Sequence, residues 1–443
     1  MNSTTSPPAT LSRHAAPTEL DAVYRKITLR IVPLLFIGFM LNYMDRSNVG
    51  FAKLQMEGAL GFGDAVYGLA AGIFFVGYAL FEVPSNLVLK RLGARRTFLR
   101  IMVLWGLVSA ATMFVTTPTH FYVARFLLGV FEAGFFPGIV LYMTFWFPRE
   151  RRARTVSWFI MATSAAAIVT GPLSGWIMKN LHGVHGWDGW QWMFLLEGLP
   201  SVAFGFVLYA LLSDSPAQAA WLSEREKSIV ARSLAQDADD HPATPRAGLG
   251  RALRNPRVYV LSLIGFMVVF GVYFLSFWAP SMLRDLGVAD VQKVGLYILV
   301  PNLAAAIFMV LYCRRSDLRG ERRGHFCAAV VLSAIGFLAG AWAMDQGSIP
   351  TLVFVFTLAT CGAVAAIPIF WAESTSRLSA EEAPAGIALI STLTNCGGLV
   401  SPVAIGAIKT HTGSLSGGLY LAAALLVVAA LLMGWVTRRP AER

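Results

Sequence analysis

Residues 65–89 read AVYGLAAGIFFVGYALFEVPSNLVL, a run of 25 residues with a single charged side chain, Glu82. About 20 consecutive apolar residues are enough for a helix to cross the hydrocarbon core of a bilayer. This stretch therefore predicts a membrane-spanning helix, and eleven further stretches have the same character. We number the twelve predicted spans in chain order: 29–51, 65–89, 98–116, 119–147, 155–178, 192–213, 257–283, 292–313, 325–344, 350–372, 384–408 and 415–436.

The overall composition also indicates a polytopic membrane protein. Of the 443 residues, 56% are apolar and only 14% are charged, whereas a soluble domain carries about 25% charged residues. Twelve helices of roughly 20 residues place just over half of the chain in lipid. These values exclude a soluble enzyme on a membrane anchor and a disordered chain. The four cysteines have no C-x-x-C spacing, so neither a disulfide scaffold nor a metal site is predicted.

One long polar segment, residues 214–256, follows span 6 and divides the spans into two groups of six. The predicted organisation is a cytoplasmic tail over 1–26, a six-helix bundle over 27–213 and a cytoplasmic loop over 214–256. A second six-helix bundle over 257–437 and a cytoplasmic tail over 438–443 complete it. Residues 1–26 have no apolar core and no cleavage site, so span 1 is predicted to act as an uncleaved insertion signal.

Basic residues predict the orientation of the spans. The net charge of +11 would favour nucleic-acid binding in a soluble protein, but Lys and Arg accumulate on the cytoplasmic side of membrane proteins. With both termini in the cytoplasm, most of the 36 Lys and Arg residues lie on that side. Only five fall in outer loops or at outer helix ends: Lys53, Lys179, Arg284, Lys293 and Lys409. No nucleic-acid partner is therefore predicted.

A short internal repeat relates the two halves. Residues 93–96 and 320–323 both read Gly-x-Arg-Arg, the first after span 2 and the second after span 8. Equivalent loops on the same side of the membrane imply a pseudo-twofold axis along the membrane normal. The predicted fold is therefore all-α, with twelve transmembrane helices in two related six-helix bundles.

Span 4 carries two charges inside its apolar stretch, Arg125 and Glu132. A charge at the bilayer centre costs about 2.5–3.5 kcal/mol to insert, and such residues are usually functional. Counted from His120, they lie about 7 Å and about 18 Å into the helix. The seven-residue spacing places both on one face, with Gly129 between them. A buried ion pair between helices and a polar central cavity are both compatible with this pattern.

Span 1 carries the adjacent pair Asp45 and Arg46. Neighbouring helical residues point about 100° apart, so these two cannot pair well with each other and each needs its own partner. Counted from Ile31 they lie roughly 22 Å along the helix. That depth is compatible with the outer interface as well as with a central cavity.

Several motifs resemble the major facilitator superfamily, and within it the anion:cation symporters, over about residues 27–437. The superfamily loop motif is similar to Asp317–Arg323, while its first copy departs, with Lys90 in place of Asp and Asn86 in place of Gly. The Arg-x-x-x-Gly motif of span 4 is similar to Arg125–Gly129. Segments more specific to the symporters are Asn42–Gly50, Phe81–Asn86 and Glu132–Gly138.

The resemblance is strongest to bacterial carriers of tartrate, 4-hydroxyphenylacetate, phthalate and galactonate-type sugar acids. It implies proton-coupled uptake of a small organic carboxylate by a monomer in the bacterial cytoplasmic membrane, driven by the proton gradient without a cofactor. It also places Asp45 and Arg46 in the cavity. The implied partners are the carboxylate anion, protons and the lipid bilayer.

Site residues follow from this resemblance together with the embedded charges. Arg46 and Arg125 are predicted to bind the anion, since a guanidinium can hold a carboxylate through two parallel hydrogen bonds. Anion binding on an arginine and protonation of a nearby acid favour each other, which gives a basis for coupling. The predicted residues are Tyr43, Arg46, Tyr78, Arg125, Trp371 and Asn395 for substrate, Asp45 and Glu132 for protons, and Glu82, Asp317, Gly320, Arg322 and Arg323 for gating.

A purely structural role is also compatible with the sequence for three of these residues. Tyr78 is also compatible with a core position, Trp371 with an interfacial aromatic residue, and Asn395 with a hydrogen bond between helices.

The alternative function is an efflux antiporter for organic acids or drugs. Residues 171–175, Gly-Pro-Leu-Ser-Gly, resemble a motif of drug antiporters, although Trp176 replaces its last glycine. Close helix packing is the simpler explanation of this segment. A membrane-embedded enzyme is disfavoured because no HExxH, GxSxG or phosphate-binding loop is present.

Overall fold

The computed structural model describes residues 17–240, 248–379 and 382–437. Most of the described residues are helical, and the described residues contain no strand. The predicted tail over 438–443 and residues 1–16 of the first predicted tail lie outside the described residues.

Twelve helical segments in the described ranges are long and apolar enough to cross a membrane, which confirms the predicted twelve-span, all-α fold. In the first half they are Pro17–Ser47 with Val49–Leu60 (span 1), Asp64–Leu92 (span 2), Ala94–Ala111 (span 3), Pro118–Glu132 with Phe135–Trp146 (span 4), Arg149–Asn180 (span 5) and Gly189–Leu211 (span 6). In the second half they are Pro256–Asp285 (span 7), Val291–Arg319 (span 8), Arg323–Gln346 (span 9), Ile349–Ser376 (span 10), Ala383–Thr412 (span 11) and Ser416–Val436 (span 12).

Spans 1 and 4 are each interrupted, where the sequence predicts continuous helices. Span 4 ends its first helix at Glu132 and restarts after Gly134, whose φ of 86° favours glycine. The Ser85 side chain lies 2.5 Å from the point where a Cβ on Gly134 would sit, so the break also depends on close packing against span 2. Span 1 breaks at Asn48, directly after Arg46 and Ser47.

The packing of the spans repeats between the halves. Spans 1 and 5, 2 and 4, and 3 and 6 pack together in the first half, and spans 7 and 11, 8 and 10, and 9 and 12 do so in the second. Between the halves, span 2 packs on span 11 and span 5 on span 8. Exchanging each span of the first half with the span six places later converts every one of these pairs into another, which is the predicted twofold relation.

Glycines allow the two halves to approach closely. Gly171 and Gly175 of span 5 face the backbone of Gly295 and Val291 in span 8, where an added Cβ would lie 2.7–2.8 Å from a carbonyl oxygen. The segment that resembles the antiporter motif therefore serves close helix packing. Gly72 of span 2 faces span 11 in the same way.

Both repeat loops end a helix with a glycine of positive φ, 85° at Gly93 and 62° at Gly320. Because twelve spans return the chain to its starting side, these loops share one face of the bundle with the two ends of the described chain. We call this the terminal face, and the other side the opposite face. On the terminal face, the helix Glu224–Asp240 is attached to the first half by an ion pair of 2.8 Å between Lys26 and Glu226.

Candidate functional site

Charged and aromatic side chains meet at the centre of the bundle, where the two halves face each other. We call this the central cluster: Arg46, Phe74, Tyr78, Arg125, Glu132 and Tyr273. Spans 1, 2 and 4 of the first half and span 7 of the second half contribute these residues. The breaks in spans 1 and 4 lie within two residues of Arg46 and Glu132.

Glu132 and Arg46 form an ion pair in this cluster. Arg46 Nε donates to Glu132 Oε1 at 3.0 Å, and Arg46 Nη2 contacts the same oxygen. Glu132 is fully buried, whereas the Arg46 side chain keeps 15% of its surface exposed. The sequence places Glu132 on the face of Arg125, but its partner in the structure comes from span 1.

Arg125 is buried to 1% exposure, and none of its three side-chain nitrogens has a hydrogen-bond partner in the described part of the chain. Its guanidinium carbon lies 5.1 Å from the centre of the Phe74 ring, and that of Arg46 lies at the same distance from this ring. Two guanidiniums therefore adjoin one ring, with only the Glu132 carboxylate paired to them. A buried charge without a partner is costly in free energy. An anion that binds beside Arg125 would therefore be stabilised by its guanidinium.

Aromatic side chains surround the Arg46 guanidinium. Its carbon lies 5.2 Å from the Tyr78 ring centre, within the range of a cation–π contact. The hydroxyl of Tyr273 lies 3.3 Å from Arg46 Nη1 and brings the second half into the site. Sequence reasoning missed Tyr273, although a tyrosine in the middle of span 7 carries the same signal as Tyr78 in span 2.

Asp45 lies apart from the central cluster, inside the first half. Its carboxylate accepts hydrogen bonds from Trp105 Nε1 at 2.7 Å, Ser109 Oγ at 2.7 Å and Ser201 Oγ at 3.1 Å. The resemblance implied that Asp45 and Arg46 share the cavity. The structure instead separates them, because adjacent helical residues point about 100° apart.

The remaining predicted substrate residues are half-buried. Tyr43 lies one turn before Arg46 on span 1, and Asn395 lies one turn before Gly398, which faces Tyr273. Trp371 packs on Phe370 near the terminal-face end of span 10. Among the described residues, no hydrogen bond or ring contact joins Trp371 or Asn395 to Arg46.

The predicted gating residues lie towards the terminal face. Glu82 lies one turn beyond Tyr78 on span 2. Its carboxylate forms no ion pair with any of the described residues. Arg322 Nη1 donates to the carbonyl oxygen of Ala372 at 2.9 Å, which fixes the loop after span 8 to span 10. Asp317, Gly320 and Arg323 lie at the adjoining ends of spans 8 and 9.

The halves are joined firmly on the opposite face. Tyr67 donates its hydroxyl hydrogen to the carbonyl oxygen of Phe277 at 2.8 Å. Ion pairs across the halves connect Lys179 with Asp290 at 2.5 Å and Lys409 with Asp64 at 3.6 Å. These contacts close the central cluster off from the opposite face.

Towards the terminal face the halves diverge. Gly68, Gly72 and Phe75 form the stripe of span 2 that is buried against span 11. Among the next members of this stripe, Ala79 is exposed and Glu82 is half-buried. Span 2 therefore loses its packing against span 11 towards the terminal face.

Two related six-helix bundles around a central charged site are the architecture of a membrane transporter. The sequence pattern of the Major Facilitator Superfamily matches residues 35–299 and 261–443. The chain belongs to the Major Facilitator Superfamily.

Curated relatives are similar over almost their whole length. A "putative tartrate transporter" of Agrobacterium vitis is 44% identical over 95% of this chain and 96% of the relative. The "putative metabolite transport protein NicT" of Pseudomonas putida is 40% identical over 93% and 94%. A "quinolone resistance transporter" of Acinetobacter baumannii is 35% identical over 95% and 96%. These relatives are transporters, and the chain is a transporter rather than an enzyme.

Among solved structures, a bacterial homologue of the human lysosomal transporter Spinster in an inward-facing, occupied conformation has a similar fold. The TM-score is 0.74 at 16% identity, over 94% of this chain and 97% of that chain. This similarity supports the fold alone.

Proposed function

We propose that this transporter takes up a small organic carboxylate together with protons, using the proton gradient without a cofactor. The observation that carries the proposal is the buried guanidinium of Arg125, which has no partner among the described residues and lies beside the Arg46–Glu132 ion pair. A carboxylate matches a guanidinium in charge and geometry. The tartrate name of a relative that is 44% identical supports a hydroxylated dicarboxylate as the first candidate.

The charges of the central cluster supply a coupling mechanism. Arg46, Arg125 and an ionised Glu132 leave one positive charge in excess, which suits one carboxylate group. When the anion binds Arg46, Glu132 loses its partner, and an unpaired carboxylate inside the membrane is costly. Uptake of a proton by Glu132 removes that cost and raises the excess to two positive charges, which suits a dicarboxylate.

The half-buried residues Tyr43, Tyr78, Trp371 and Asn395 would complete the substrate site when the halves close around the anion. Tyrosine and asparagine side chains provide hydrogen bonds to hydroxyl groups, and tryptophan provides an apolar surface. Glu82 and the Asp317–Arg323 loop would then act in closing the terminal face.

We further propose that the terminal face is cytoplasmic and that the protein works as a monomer in the bacterial inner membrane. Basic residues concentrate on this face, as expected of cytoplasmic loops. One chain supplies both halves of the site, so a second copy is not needed to complete it.

The efflux antiporter remains the second candidate, supported by the quinolone resistance transporter at 35% identity. Both candidates use alternating access, and they differ in substrate charge and in the direction of proton movement. An anion importer needs the guanidiniums of Arg46 and Arg125, whereas a drug antiporter needs acidic groups that exchange a proton for the drug.

The test is uptake of a labelled carboxylate panel, including tartrate, 4-hydroxyphenylacetate, phthalate and galactonate, into proteoliposomes. Accumulation that requires an acidic exterior supports symport. Expulsion of a substrate driven by an acidic exterior would support the antiporter instead. Absence of transport for every carboxylate, with transport of a quinolone, would contradict the proposal.

We expect a cysteine at Gln236, an exposed position in the helix Glu224–Asp240, to resist an impermeant maleimide in intact cells. A cysteine at His185, in the loop after span 5 on the opposite face, should react at once. The reason is the concentration of basic residues on the terminal face. The exposed native Cys396 is replaced by serine in both variants. Reaction of the cysteine at position 236 before the cells are permeabilised would reverse the orientation.

We expect a cross-link between Lys179→Cys and Asp290→Cys, made with a reducible bifunctional thiol reagent, to reduce transport to background. Lys179 Nζ and Asp290 Oδ2 lie 2.5 Å apart across the halves, so a reagent that replaces the length of the two side chains can join these positions, and alternating access requires this face to open. Each single cysteine variant serves as the control, and reduction of the cross-link should restore transport. Normal transport by the cross-linked protein would mean that this face stays closed throughout the cycle.

A further inference from the structure

A second polar network lies inside the first half and centres on Glu197. Glu197 Oε1 accepts a hydrogen bond from Ser174 Oγ at 2.7 Å, and Oε2 accepts one from Asn48 Nδ2 at 3.0 Å. All three residues are buried, and Glu197 keeps only 4% of its surface exposed. Glu197 lies about 12 Å along span 6 from Gly189, well inside the membrane, and no cation contacts it among the described residues.

Asp45 is the neighbouring carboxyl in this network. Asp45 and Asn48 lie on one face of span 1, and Glu197 and Ser201 lie on one face of span 6. Ser201 donates to Asp45 just as Asn48 donates to Glu197. The two carboxyl groups therefore lie about one helical turn apart along the same interface. Asp45 is the ionisable group that faces Glu197 here.

The partners of Glu197 can accommodate both protonation states of its carboxyl group. A serine hydroxyl donates to a carboxylate and accepts from a carboxylic acid, so Ser174 can reverse its role by rotating one hydrogen. The Oδ1 atom of Asn48 is buried and has no donor among the described residues. Rotation of this amide would present Oδ1 to a protonated Oε2. Neither change requires movement of the helices.

Asn48 also connects Glu197 to the closed opposite face. It occupies the break in span 1, and the helix Val49–Leu60 begins directly after it. Gly50 of this helix packs against the backbone of Phe277 in span 7, with an added Cβ 3.2 Å from the carbonyl oxygen. A change in the hydrogen bonds of Asn48 therefore acts at the base of a helix that contacts the second half.

We propose that Glu197 binds and releases a proton during the transport cycle, and that Asn48 transmits this change to the helix Val49–Leu60. The inference rests on the proton coupling proposed above and adds a proton-binding residue behind the substrate site. It assigns Glu197 no contact with the substrate.

The test compares the wild type with Glu197→Gln, which keeps the shape of the side chain but cannot titrate. In infrared spectra of the full-length protein in nanodiscs, the variant should lose a carboxylic-acid band that titrates with pH in the wild type. Its limiting accumulation of substrate should fall about tenfold for each pH unit of gradient, since one coupled proton contributes that factor. Substrate affinity and counterflow should stay unchanged. Glu150→Gln, at an exposed carboxyl, is the matched control and should behave as wild type.

An unchanged infrared titration or an unchanged accumulation ratio in Glu197→Gln would overturn the proposal and leave Glu197 as a structural hydrogen-bonding residue. The infrared measurement does not depend on transport. Loss of the band in the variant, with no proton-driven uptake by the wild type, would support the proton site and overturn the coupling of uptake to protons. If Glu197→Gln fails to fold, Ser174→Ala keeps the carboxyl and removes its hydroxyl partner. Because Ser174 donates to Glu197, this variant should shift the pH midpoint of the band. A midpoint equal to that of the wild type would mean that the band belongs to another carboxyl group and would contradict the proposal.

Discussion

Arg125→Lys is expected to weaken carboxylate binding by about tenfold to a hundredfold. Lysine keeps the charge but cannot form two parallel hydrogen bonds to a carboxylate. A hydrogen bond to a charged group contributes about 1.5–3 kcal/mol, and 1.4 kcal/mol corresponds to a factor of ten in affinity. Because the Arg125 guanidinium has no other recorded partner, the loss should appear directly in the dissociation constant of the substrate, measured by calorimetry on the purified protein.

Arg46→Lys is expected to reduce transport as severely, for a different reason. Arg46 pairs with Glu132 and also contacts Tyr273 of the second half, so this variant disturbs both the anion site and its coupling acid. The matched control is Arg100→Lys, whose guanidinium contacts Ser85 away from the central cluster. All three proteins should insert and purify alike. Near-normal substrate binding in both cluster variants would remove these arginines from the site.

The twelve spans and their division could be predicted because both depend on local sequence. An apolar run such as residues 65–89 is long enough to identify a span without any knowledge of its neighbours. The positions of the helix breaks were not predictable in this way. Gly134 adopts its positive φ beside Ser85 of span 2, and that contact exists only in the folded bundle.

The charged residues of the site could be found from the sequence, but their pairing could not. Arg46 and Glu132 are 86 positions apart, so no spacing rule relates them, and spacing along span 4 favoured Arg125 as the neighbour of Glu132. Asp45 was expected beside Arg46, yet Trp105, Ser109 and Ser201 hold it inside the first half. Glu197 carried the same signal as Arg125, an ionisable residue within an apolar span, and was overlooked.

Glu132→Gln is expected to lower gradient-driven accumulation of substrate by about tenfold or more for each pH unit of gradient while preserving counterflow exchange. Glutamine resembles a permanently protonated Glu132 and leaves Arg46 free to bind the anion. The variant should therefore bind substrate at least as well as the wild type and exchange internal for external substrate, because neither process requires net proton movement. Accumulation needs the coupling proton to bind and leave, so the variant should lose the part of the accumulation that the Glu132 proton drives. The two assays, pH-driven accumulation and counterflow, are run on the same proteoliposomes.

Asp45→Asn provides the comparison, because this carboxyl lies away from the anion site. Its amide oxygen can still accept from Trp105 Nε1, and its amide nitrogen can donate to Ser109 once that hydroxyl reverses its role. If Asp45 carries a proton in the cycle, this variant should also lose accumulation and keep counterflow, with substrate affinity unchanged rather than raised. Full accumulation by both variants would eliminate coupling at these two acids and direct attention to Glu197 and Glu82. Loss of both activities in Glu132→Gln would instead indicate that the ion pair with Arg46 is needed to hold spans 1 and 4 together.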